Sequence, residues 1–403
     1  MTTPTPRTLH LSASAVSAYK ACPTRFRLGY IEGLRLIEDT ESQRVGNNWH
    51  KLHEIYRDGQ RILLNQEYGG VVIPMQNKVD PFQAAMDWLN QWYSRIPDSK
   101  TPEEWATERV ILATCFAAHC WYYQNETLET LATEISFRKP LYHPKTRLPL
   151  NLDEVLVPGK IDRLIRYNRH ISVGDYKSTT KSIDSDSIFW NHLRLDTQIN
   201  LYVDAAQWMQ KKGLLVEYGI DPSEPVAGAF YDVWHRPTIK PSKLTQAETA
   251  EFFKTGKYCN TDFKVGLDGE NNQVLTVNGE LAEYFPGAKE GKGAIRETSE
   301  MYGARLLADI YERPTFYFAR REIPCTDEDT RRFQSQIYSI YQSMKTMRDT
   351  GHWFQCEHSC NATFPCAYIP ICFHGVDVTA GQTPAGFRRI FADLTKEGET
   401  VEL

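Results

Sequence analysis

The hydrophobic pattern divides the chain into a helical first third and a mixed centre. Residues 42–64 place Trp49 and Tyr56 on one helical face, and this spacing is typical of an amphipathic helix. Residues 81–93 and 103–131 continue as helices that are rich in aromatic residues. Shorter helical segments are predicted at residues 11–21 and 24–30. The first 130 residues or so are therefore predicted to be mainly helical.

The centre of the chain changes to the pattern of short strands. Residues 157–178 predict two strands joined by a polar turn, and residues 196–211 follow as a helix with an apolar side. Residues 327–350 predict another long helix, because acidic residues begin it and basic residues end it, as the helix dipole favours. Further strands are predicted at residues 133–140, 228–234 and 315–324, the last at the edge of the sheet.

This order of elements predicts an α/β protein with a mixed central sheet flanked by helices. Residues 236–300 interrupt it with a segment rich in Gly, Asn, Lys and Glu, which we interpret as a surface insertion with one hairpin. The predicted parts of the chain are a disordered lead at 1–10, a helical region at 11–132, the core at 133–235, the insertion at 236–300, a sheet-edge strand and C-terminal helix at 301–355, and a cysteine cluster with a tail at 356–403.

Two acidic residues and one lysine lie in the two central strands. Asp162 is in the first strand, and Asp175 and Lys177 are in the second. Because Asp175 and Lys177 are two residues apart, a strand presents both side chains on the same face. Gathering two carboxylates and an ammonium costs free energy through desolvation and like-charge repulsion, which a divalent cation between the acids offsets. The stretch therefore predicts a metal-dependent phosphodiesterase.

The net charge of −5 over 403 residues does not indicate a nucleic-acid-binding protein, since such proteins usually carry a basic domain or stripe. It does not exclude one either, because basic residues are concentrated around the central strands. Two explanations remain open for them, contact with a phosphate backbone or a solvated strand edge. These residues are Lys160, Arg163, Arg166 and Arg169.

Composition sets the expected location. Hydrophobic residues make up 41% and charged residues 24% of the chain, which is ordinary for a globular protein. No run of about 18 apolar residues occurs, so no transmembrane helix is predicted. The N-terminus lacks a basic segment followed by a long apolar stretch, so a signal peptide is not expected. A cytoplasmic location without membrane contact follows as the default expectation.

Five short motifs follow one another in a recognisable order. They are the opening segment SASAVSAYKACPTRFRLGYIEGL, His50, GKID at 159–162, DYK at 175–177, and Gln198 followed by Tyr202. Together they resemble the PD-(D/E)XK nuclease superfamily, and more narrowly its RecB-like exonuclease branch, which includes the AddB nuclease domain and phage and CRISPR-adaptation nucleases. The resemblance runs from about residue 11 to 375 without the insertion, and it implies a restriction-endonuclease-like core.

The resemblance implies a metal site. Asp162 and Asp175 would hold Mg²⁺ or Mn²⁺, hard cations that prefer oxygen ligands, and the backbone carbonyl of Tyr176 would supply another oxygen. His50 would be a further ligand, and its nitrogen favours Mn²⁺. Glu134 on the preceding strand is a candidate for an outer acid or a ligand of a second metal. The chain has Asp175 where many relatives have Glu, and the superfamily pattern allows either residue.

The resemblance also implies residues that act on the substrate. Lys177 would stabilise the pentacoordinate phosphate or help to activate water. Gln198 and Tyr202, four residues apart on one helical face, would position the substrate and the lysine. Each of these residues also has an ordinary structural explanation. Asp175 and Lys177 would form a surface ion pair, and His50 would be a structural histidine. Gln198 and Tyr202 would be the polar edge of a helix.

Nine cysteines are unevenly placed, with a cluster near the C-terminus. In a cytosolic protein such a cluster is more often a metal site than a set of disulfides. Cys22, Cys360, Cys366 and Cys372 resemble the iron–sulfur ligands of the same branch, which implies a [4Fe–4S] cluster that joins the chain ends. Cys356 is a rival for Cys360, because relatives often have a shorter spacing at this point. A zinc ion held by four cysteines and reduced free thiols remain alternatives.

The expected function is hydrolysis of DNA by an exonuclease that acts on DNA ends or single strands. Two alternatives remain: a catalytically silent DNA-binding scaffold of a recombination or repair complex, and a CRISPR-adaptation-type nuclease that trims ends for an integrase. The length of 403 residues fits a phage replication or recombination nuclease better than a minimal CRISPR-adaptation nuclease. DNA and a recombination or replication protein are the expected partners.

Overall fold

A six-stranded mixed sheet forms the centre of the fold. The computed structural model describes residues 8–38, 40–68, 80–126, 128–268, 274–288, 292–362, 365–376, 378 and 383–390. The helices are α1 (Ala13–Ala21), α2 (Pro23–Phe26), α3 (Glu41–Tyr68), α4 (Pro81–Trp92), α5 (Pro102–Tyr122), α6 (Ile188–Leu193), α7 (Thr197–Lys211), α8 (Gln246–Thr255), α9 (Ser299–Glu312), α10 (Pro314–Tyr317), α11 (Asp327–Thr350) and α12 (Ile369–His374). The strands are β1 (Leu9–His10), β2 (Leu34–Leu36), β3 (Glu129–Lys139), β4 (Val155–Tyr167), β5 (His170–Thr179), β6 (Val226–His235), β7 (Lys257–Tyr258), β8 (Thr261–Asp262), β9 (Val265–Asp268), β10 (Val274–Val277), β11 (Glu280–Leu281), β12 (Tyr284–Pro286), β13 (Gly293–Ile295), β14 (Phe318–Pro324) and β15 (Phe387–Arg389).

The central sheet combines parallel and antiparallel neighbours. Its strands lie in the order β1-β4-β5-β6-β14, and β3 pairs with β4. β5 and β6 are parallel, whereas β4 is antiparallel to β5 and β14 is antiparallel to β6. The connection from β5 to β6 contains α6 and α7, because parallel neighbours need a long crossover. The predicted α/β class with a mixed central sheet flanked by helices is confirmed.

β4 and β5 separate partway along their length. Their pairing ends at Arg163↔Gly174, while β5 stays paired with β6 as far as Thr179. β4 instead continues along β3 on its other side. The two predicted metal-binding acids, Asp162 and Asp175, therefore lie just beyond the last rung that their strands share.

Alternate residues of the central strands contribute to two separate hydrophobic cores. Val173 of β5 and Tyr231 of β6 belong to a core that also contains residues of α1, α7 and α11. Tyr176 of β5 and Trp234 of β6 belong to a core with α3, α4, α5 and α9. This is the two-residue period of strands that are buried on both faces. The Trp234 ring stacks on Trp49 of α3 at a centroid distance of 4.3 Å, so the helical region packs directly on the sheet.

The C-terminal segment returns to the N-terminal helices. The backbone N–H and hydroxyl of Thr24 donate to the Phe354 carbonyl oxygen at 3.1 and 2.9 Å. β2 pairs with β15 in an antiparallel ladder. Leu34 of β2 and Phe387 of β15 share a small hydrophobic cluster with Ile371 of α12. The cysteine-rich segment is thereby held against the start of the chain.

The lead predicted as disordered at 1–10 ends in a strand. Leu9–His10 forms β1, which pairs in parallel with the start of β4. Leu9 is buried in the core, so its apolar side chain stabilises this short strand. Residues 1–7 lie outside the described residues.

The helix predicted for residues 103–131 is shorter in the structure. α5 begins at Pro102 with Thr101 as its N-cap, and it ends at Tyr122. Residues 129–131 belong instead to β3, because Glu129 and Thr130 pair with the edge of β4, and Leu131 lies at an irregularity of this pairing. The region predicted as helical thus also contributes to the central sheet.

Residues 236–300, predicted as a surface insertion with one hairpin, contain α8 and the strands β7 to β13. β9, β10 and β11 form a three-stranded sheet. Phe252 and Phe263 belong to a hydrophobic cluster of this segment, separate from the two main cores. Buried Glu297 accepts two hydrogen bonds from Arg305 of α9, at 2.6 and 2.8 Å, which fixes the end of the segment. We call residues 236–300 the insertion unit.

Gly228→Ala is expected to destabilise the sheet. A Cβ atom at this position of β6 would lie 2.3 Å from the Ile323 carbonyl oxygen and 2.9 Å from the Cys325 backbone nitrogen. Because backbone atoms of a paired strand cannot move aside easily, we expect the free energy of unfolding to fall by roughly 1–3 kcal/mol in urea denaturation. Gly46→Ala in α3 is the control, since its Cβ would make an ordinary 3.9 Å contact with Ser178 Oγ. Equal stability of Gly228→Ala and wild type would contradict this packing.

Candidate active site

The candidate active site lies where β4 and β5 separate. Asp162 projects from β4 and Asp175 from β5, and Asp175 is fully buried. His50 of α3 places its Nδ1 atom 3.2 Å from Asp162 Oδ2. The structure thus brings together three residues from three elements, although His50 precedes Asp162 by 112 positions in the sequence.

Lys177 connects the acids to α7. Its Nζ atom lies 2.9 Å from Asp175 Oδ2 and donates a hydrogen bond to Gln198 Oε1 at 2.6 Å. The Gln198 amide nitrogen donates to the Tyr202 hydroxyl, one turn further along the helix, at 3.5 Å. Asp196 caps the start of α7 by accepting a hydrogen bond from the Gln198 backbone N–H at 2.7 Å. The predicted substrate-positioning residues therefore form one chain of contacts with Asp175.

The two acids have opposite pKa shifts although they are neighbours. Burial raises the pKa of Asp175 from 3.8 to about 6, and Asp162 adds to this effect while Lys177 opposes it. Burial alone would also raise the pKa of Asp162, but His50 outweighs it and holds this pKa below 3.8. In the same contact, Asp162 raises the pKa of His50 against the effect of burial. Asp175 is therefore the acid whose ionised form is less favourable.

Lys177 and Tyr202 keep their protons at neutral pH. Burial would lower the pKa of the Lys177 ammonium, but the Asp175 carboxylate outweighs burial and raises it. Burial raises the pKa of Tyr202 to about 12, and Asp162 contributes to this shift. The site therefore offers a positive charge and a hydroxyl donor next to its two acids.

Carboxylate oxygens at the centre of the site lack well-directed hydrogen bonds. Both oxygens of Asp175 and the Oδ2 atom of Asp162 are buried without a well-oriented donor among the residues that the structure describes. Such oxygens suit a hard divalent cation. Across the described ranges, no set of three or more His, Cys, Asp and Glu side chains is already arranged around a metal position. The two acids thus fit a divalent cation as a pair, with backbone carbonyl or water oxygens completing its coordination.

Glu134 of β3 lies at the margin of the site. The register of β3 with β4 places it opposite Asp162. Its carboxylate forms an ion pair with Lys160, and burial raises its pKa despite that pairing. Its backbone φ of 52° is in the left-handed region, which is costly for a residue with a Cβ atom. Backbone strain next to the two acids is consistent with a role of Glu134 as an outer acid or as a ligand of a second metal. That role stays a prediction.

The four basic residues around the central strands do not form one accessible surface. Arg163 is buried, with 1% exposure, so it cannot contact a phosphate backbone. For Arg163, the explanation by phosphate contact is therefore wrong, and so is that by a solvated strand edge. Lys160 and Arg166 are each paired with glutamates. Arg169 is exposed in the turn between β4 and β5. Lys160 and Arg166 therefore agree with the second explanation, a solvated strand edge.

Cys22 and the C-terminal cysteines meet where the two ends of the chain pack together. Cys22 Sγ accepts a hydrogen bond from the Cys356 backbone N–H at 3.4 Å. The Cys366 backbone N–H donates to the Cys360 carbonyl oxygen at 2.8 Å. Burial raises the pKa of Cys360 and Cys372, and for both the thiols of Cys366 and Cys22 add to the shift. All nine cysteines are free of disulfides, and the described residues hold no set of three or more of them arranged around a metal position.

A group of buried charges on the opposite face of the sheet was not predicted from the sequence. Asp232 of β6 has its Oδ1 atom 2.8 Å from His119 Nε2 and accepts a hydrogen bond from Arg320 Nε at 2.9 Å. His53 of α3 stacks on Tyr176 at a centroid distance of 4.2 Å. The available signal was an aspartate within the apolar run GAFYDVW, because a charge in a buried strand needs a partner.

The fold and the site together define the class of the protein. A mixed sheet flanked by helices, with two acids and a lysine on adjacent strands, is consistent with a restriction-endonuclease-like core. The family model of the PD-(D/E)XK nuclease superfamily matches residues 10–373. The chain therefore belongs to the PD-(D/E)XK nuclease superfamily, whose members are generally nucleases. No curated protein matches the chain.

Within the part of the chain that the structure describes, no helix is long and apolar enough to span a bilayer.

Asp175→Asn is expected to stabilise the metal-free protein at about pH 7.5 by up to roughly 3 kcal/mol, because each pKa unit corresponds to about 1.4 kcal/mol. The sign follows from the raised pKa of about 6. Between about pH 4 and pH 6, folded Asp175 holds a proton that the unfolded chain has released, so wild-type stability falls as pH rises. The gain of the variant should vanish near about pH 4. Urea denaturation in EDTA, at about pH 7.5 and at about pH 4, measures the difference in the free energy of unfolding between the variant and wild type.

Glu297→Gln is the control for this measurement. Burial alone would raise the pKa of Glu297, but Arg305 outweighs it and lowers this pKa. Neutralising this carboxylate should therefore destabilise the protein at neutral pH. Asp175→Asn protein that is no more stable than wild type at neutral pH would contradict the pKa assigned to Asp175.

Proposed function

We propose that the protein is a metal-dependent DNA nuclease that hydrolyses phosphodiester bonds. The observation that carries the proposal is the placement of Asp162, Asp175 and Lys177 at one gap in the sheet of a PD-(D/E)XK superfamily member. A bound Mg²⁺ or Mn²⁺ would acidify a coordinated water and offset the negative charge that develops on the phosphate. Asp162 and Asp175 would hold the ion, with His50 and the Tyr176 carbonyl as further ligands.

Lys177 is proposed to act on the scissile phosphate. Its ammonium is fixed by Asp175 and Gln198, so its position does not depend on the substrate. A preorganised positive charge of this kind stabilises the additional negative charge of a pentacoordinate phosphate. Tyr202 supports Gln198 through its hydroxyl, and its proton remains available to orient a substrate oxygen.

The reaction is proposed to be exonucleolytic, on DNA ends or single strands, as in the RecB-like branch. The order of motifs from His50 to Tyr202 supports this assignment, and their side chains lie in one set of contacts. The presence of both acids and the lysine argues against a catalytically silent scaffold. A recombination or replication protein is the expected partner.

Lys177→Met should reduce DNA cleavage by roughly 100-fold or more, because the ammonium is lost while most of the aliphatic stem remains. The assay follows single- and double-stranded DNA labelled at the 5′ or the 3′ end, with Mn²⁺ or Mg²⁺. EDTA should abolish cleavage by wild type. Lys257→Met is the matched control, since Lys257 is an exposed lysine of the insertion unit and should be dispensable. Wild-type rates in Lys177→Met, or cleavage that resists EDTA, would refute the proposal.

A [4Fe–4S] cluster held by Cys22, Cys360, Cys366 and Cys372 is proposed in addition. Four thiolates suit such a cluster, these cysteines are free of disulfides, and a hydrogen bond from the Cys356 backbone brings Cys22 to the C-terminal cysteine segment. The ligands would connect positions 22 and 360, which are 338 residues apart. Closing so long a loop restricts the unfolded chain, so the expected role is structural.

Protein purified without oxygen should be brown and absorb at roughly 400 nm, where cysteine-ligated iron–sulfur clusters absorb. Cys366→Ser should lose both the colour and the iron. Cys115→Ser is the control, because Cys115 lies on α5, is buried in the core and is not a proposed ligand, so this variant should retain both. Cys356→Ser and Cys360→Ser identify the remaining ligand, since substitution of the ligand bleaches the protein. A colourless protein with one zinc ion per chain would instead support the zinc alternative.

A further inference from the structure

A set of buried charges lies on the face of the sheet opposite the candidate active site. Asp232 of β6 is contacted by His119 at 2.8 Å, Arg320 at 2.9 Å and Arg163 at 3.4 Å. The side chains of Asp232, His119 and Arg163 are each 1% exposed. Burial alone would raise the pKa of Asp232, but His119 and Arg163 outweigh it and lower this pKa, so the group is a carboxylate.

The register of the sheet explains why these residues meet. Tyr176 of β5 and Arg320 of β14 are paired with Asp232 from its two sides. Paired residues of neighbouring strands present their side chains on the same face. Arg163 directly follows Asp162 on β4, so the two side chains project to opposite faces. The charges therefore lie directly behind the acids.

Arg163 crosses β5 to reach Asp232. Its guanidinium carbon lies 4.2 Å from the centre of the Tyr176 ring. A Cβ atom on Gly174 would come within 2.6 Å of Arg163 Cγ, so the glycine leaves the space that the arginine stem occupies. The result is a side-chain bridge from β4, across β5, to β6.

The bridge lies at the last rung that β4 and β5 share. Because their pairing stops at Arg163, the backbone ladder between these two strands does not extend to Asp162 and Asp175. Consecutive Cα atoms are about 3.8 Å apart, so a displacement of Arg163 moves Asp162, and a displacement of Tyr176 moves Asp175 and Lys177. A buried ion pair contributes little to stability alone, because desolvation offsets much of its attraction. We therefore attribute the importance of this ion pair to the positions that it imposes on β4 and β5 rather than to its effect on stability.

We propose that Asp232 is a positioning residue that, through Arg163 and Tyr176, sets the separation of the Asp162 and Asp175 carboxylates and hence the affinity for a divalent cation. The inference rests on the proposed metal-dependent site. It extends that proposal to the far face of the sheet, where Asp232 contacts neither the acids nor a substrate.

Asp232→Asn should remain folded but bind Mn²⁺ roughly 10- to 100-fold more weakly, the usual effect of losing a residue that orients metal ligands. Mn²⁺ alone is titrated into the full chain and followed by calorimetry, so the measurement does not depend on cleavage. Circular dichroism and the thermal midpoint report the fold. Glu297→Gln is the matched control, because Glu297 is also a buried carboxylate paired with an arginine but belongs to the insertion unit. It should lose stability and keep its Mn²⁺ affinity.

Arg163→Lys provides the second variant, since it keeps the charge but loses the planar group over Tyr176. It should weaken Mn²⁺ binding in the same direction, and it decides the question if Asp232→Asn does not fold. Folded Asp232→Asn or Arg163→Lys protein with wild-type affinity would overturn the proposal, as would an equal loss in Glu297→Gln. Wild-type protein that binds Mn²⁺ but cleaves no DNA would refute the proposed nuclease activity. The positioning role of Asp232 would then still be decided by the Mn²⁺ affinities of the variants. Wild-type protein that binds no Mn²⁺ would refute both.

Discussion

The placement of two carboxylates and one ammonium together at a gap in the sheet is the constraint on which the rest of the structure depends. Asp175 is fully buried, and its pKa of about 6 measures how unfavourable its charge is there without a cation. Continuous pairing of β4 with β5 would leave no opening for these groups. The separation of the two strands after Arg163 creates the opening, and His50 from α3 and Gln198 from α7 then contact its charged groups.

The two faces of β5 make different contributions to this arrangement. One face carries Asp175 and Lys177 towards α7, and the other carries Tyr176 into the aromatic core with Trp49 and Trp234. Because consecutive side chains of a strand point in opposite directions, the packing of Tyr176 fixes the positions of both of its charged neighbours. The rigidity of the site therefore comes from hydrophobic packing and buried ion pairs that lie behind it.

Local patterns made part of this arrangement predictable from the sequence. The helix at Asp327–Thr350 has the predicted bounds, because Thr326 caps its start and Gly351 ends it in a left-handed conformation. The strand period places Asp175 and Lys177 on one face, and the helix period does the same for Gln198 and Tyr202, whereas the choice of Gln198 and Tyr202 as site residues came from the family resemblance. The partners of Asp232 could not be predicted, since they come from separate elements and show no common spacing. The insertion unit was equally hard to predict, because strands of two to four residues are too short for a periodic signal.

Anomalous diffraction from crystals soaked in Mn²⁺ tests the central claim most directly, since it locates the ion without reference to activity. The account predicts a peak between the carboxylates of Asp162 and Asp175, within reach of His50, and no such peak in Asp175→Asn crystals. A peak at another position, or none at a Mn²⁺ concentration that saturates binding in solution, would contradict it.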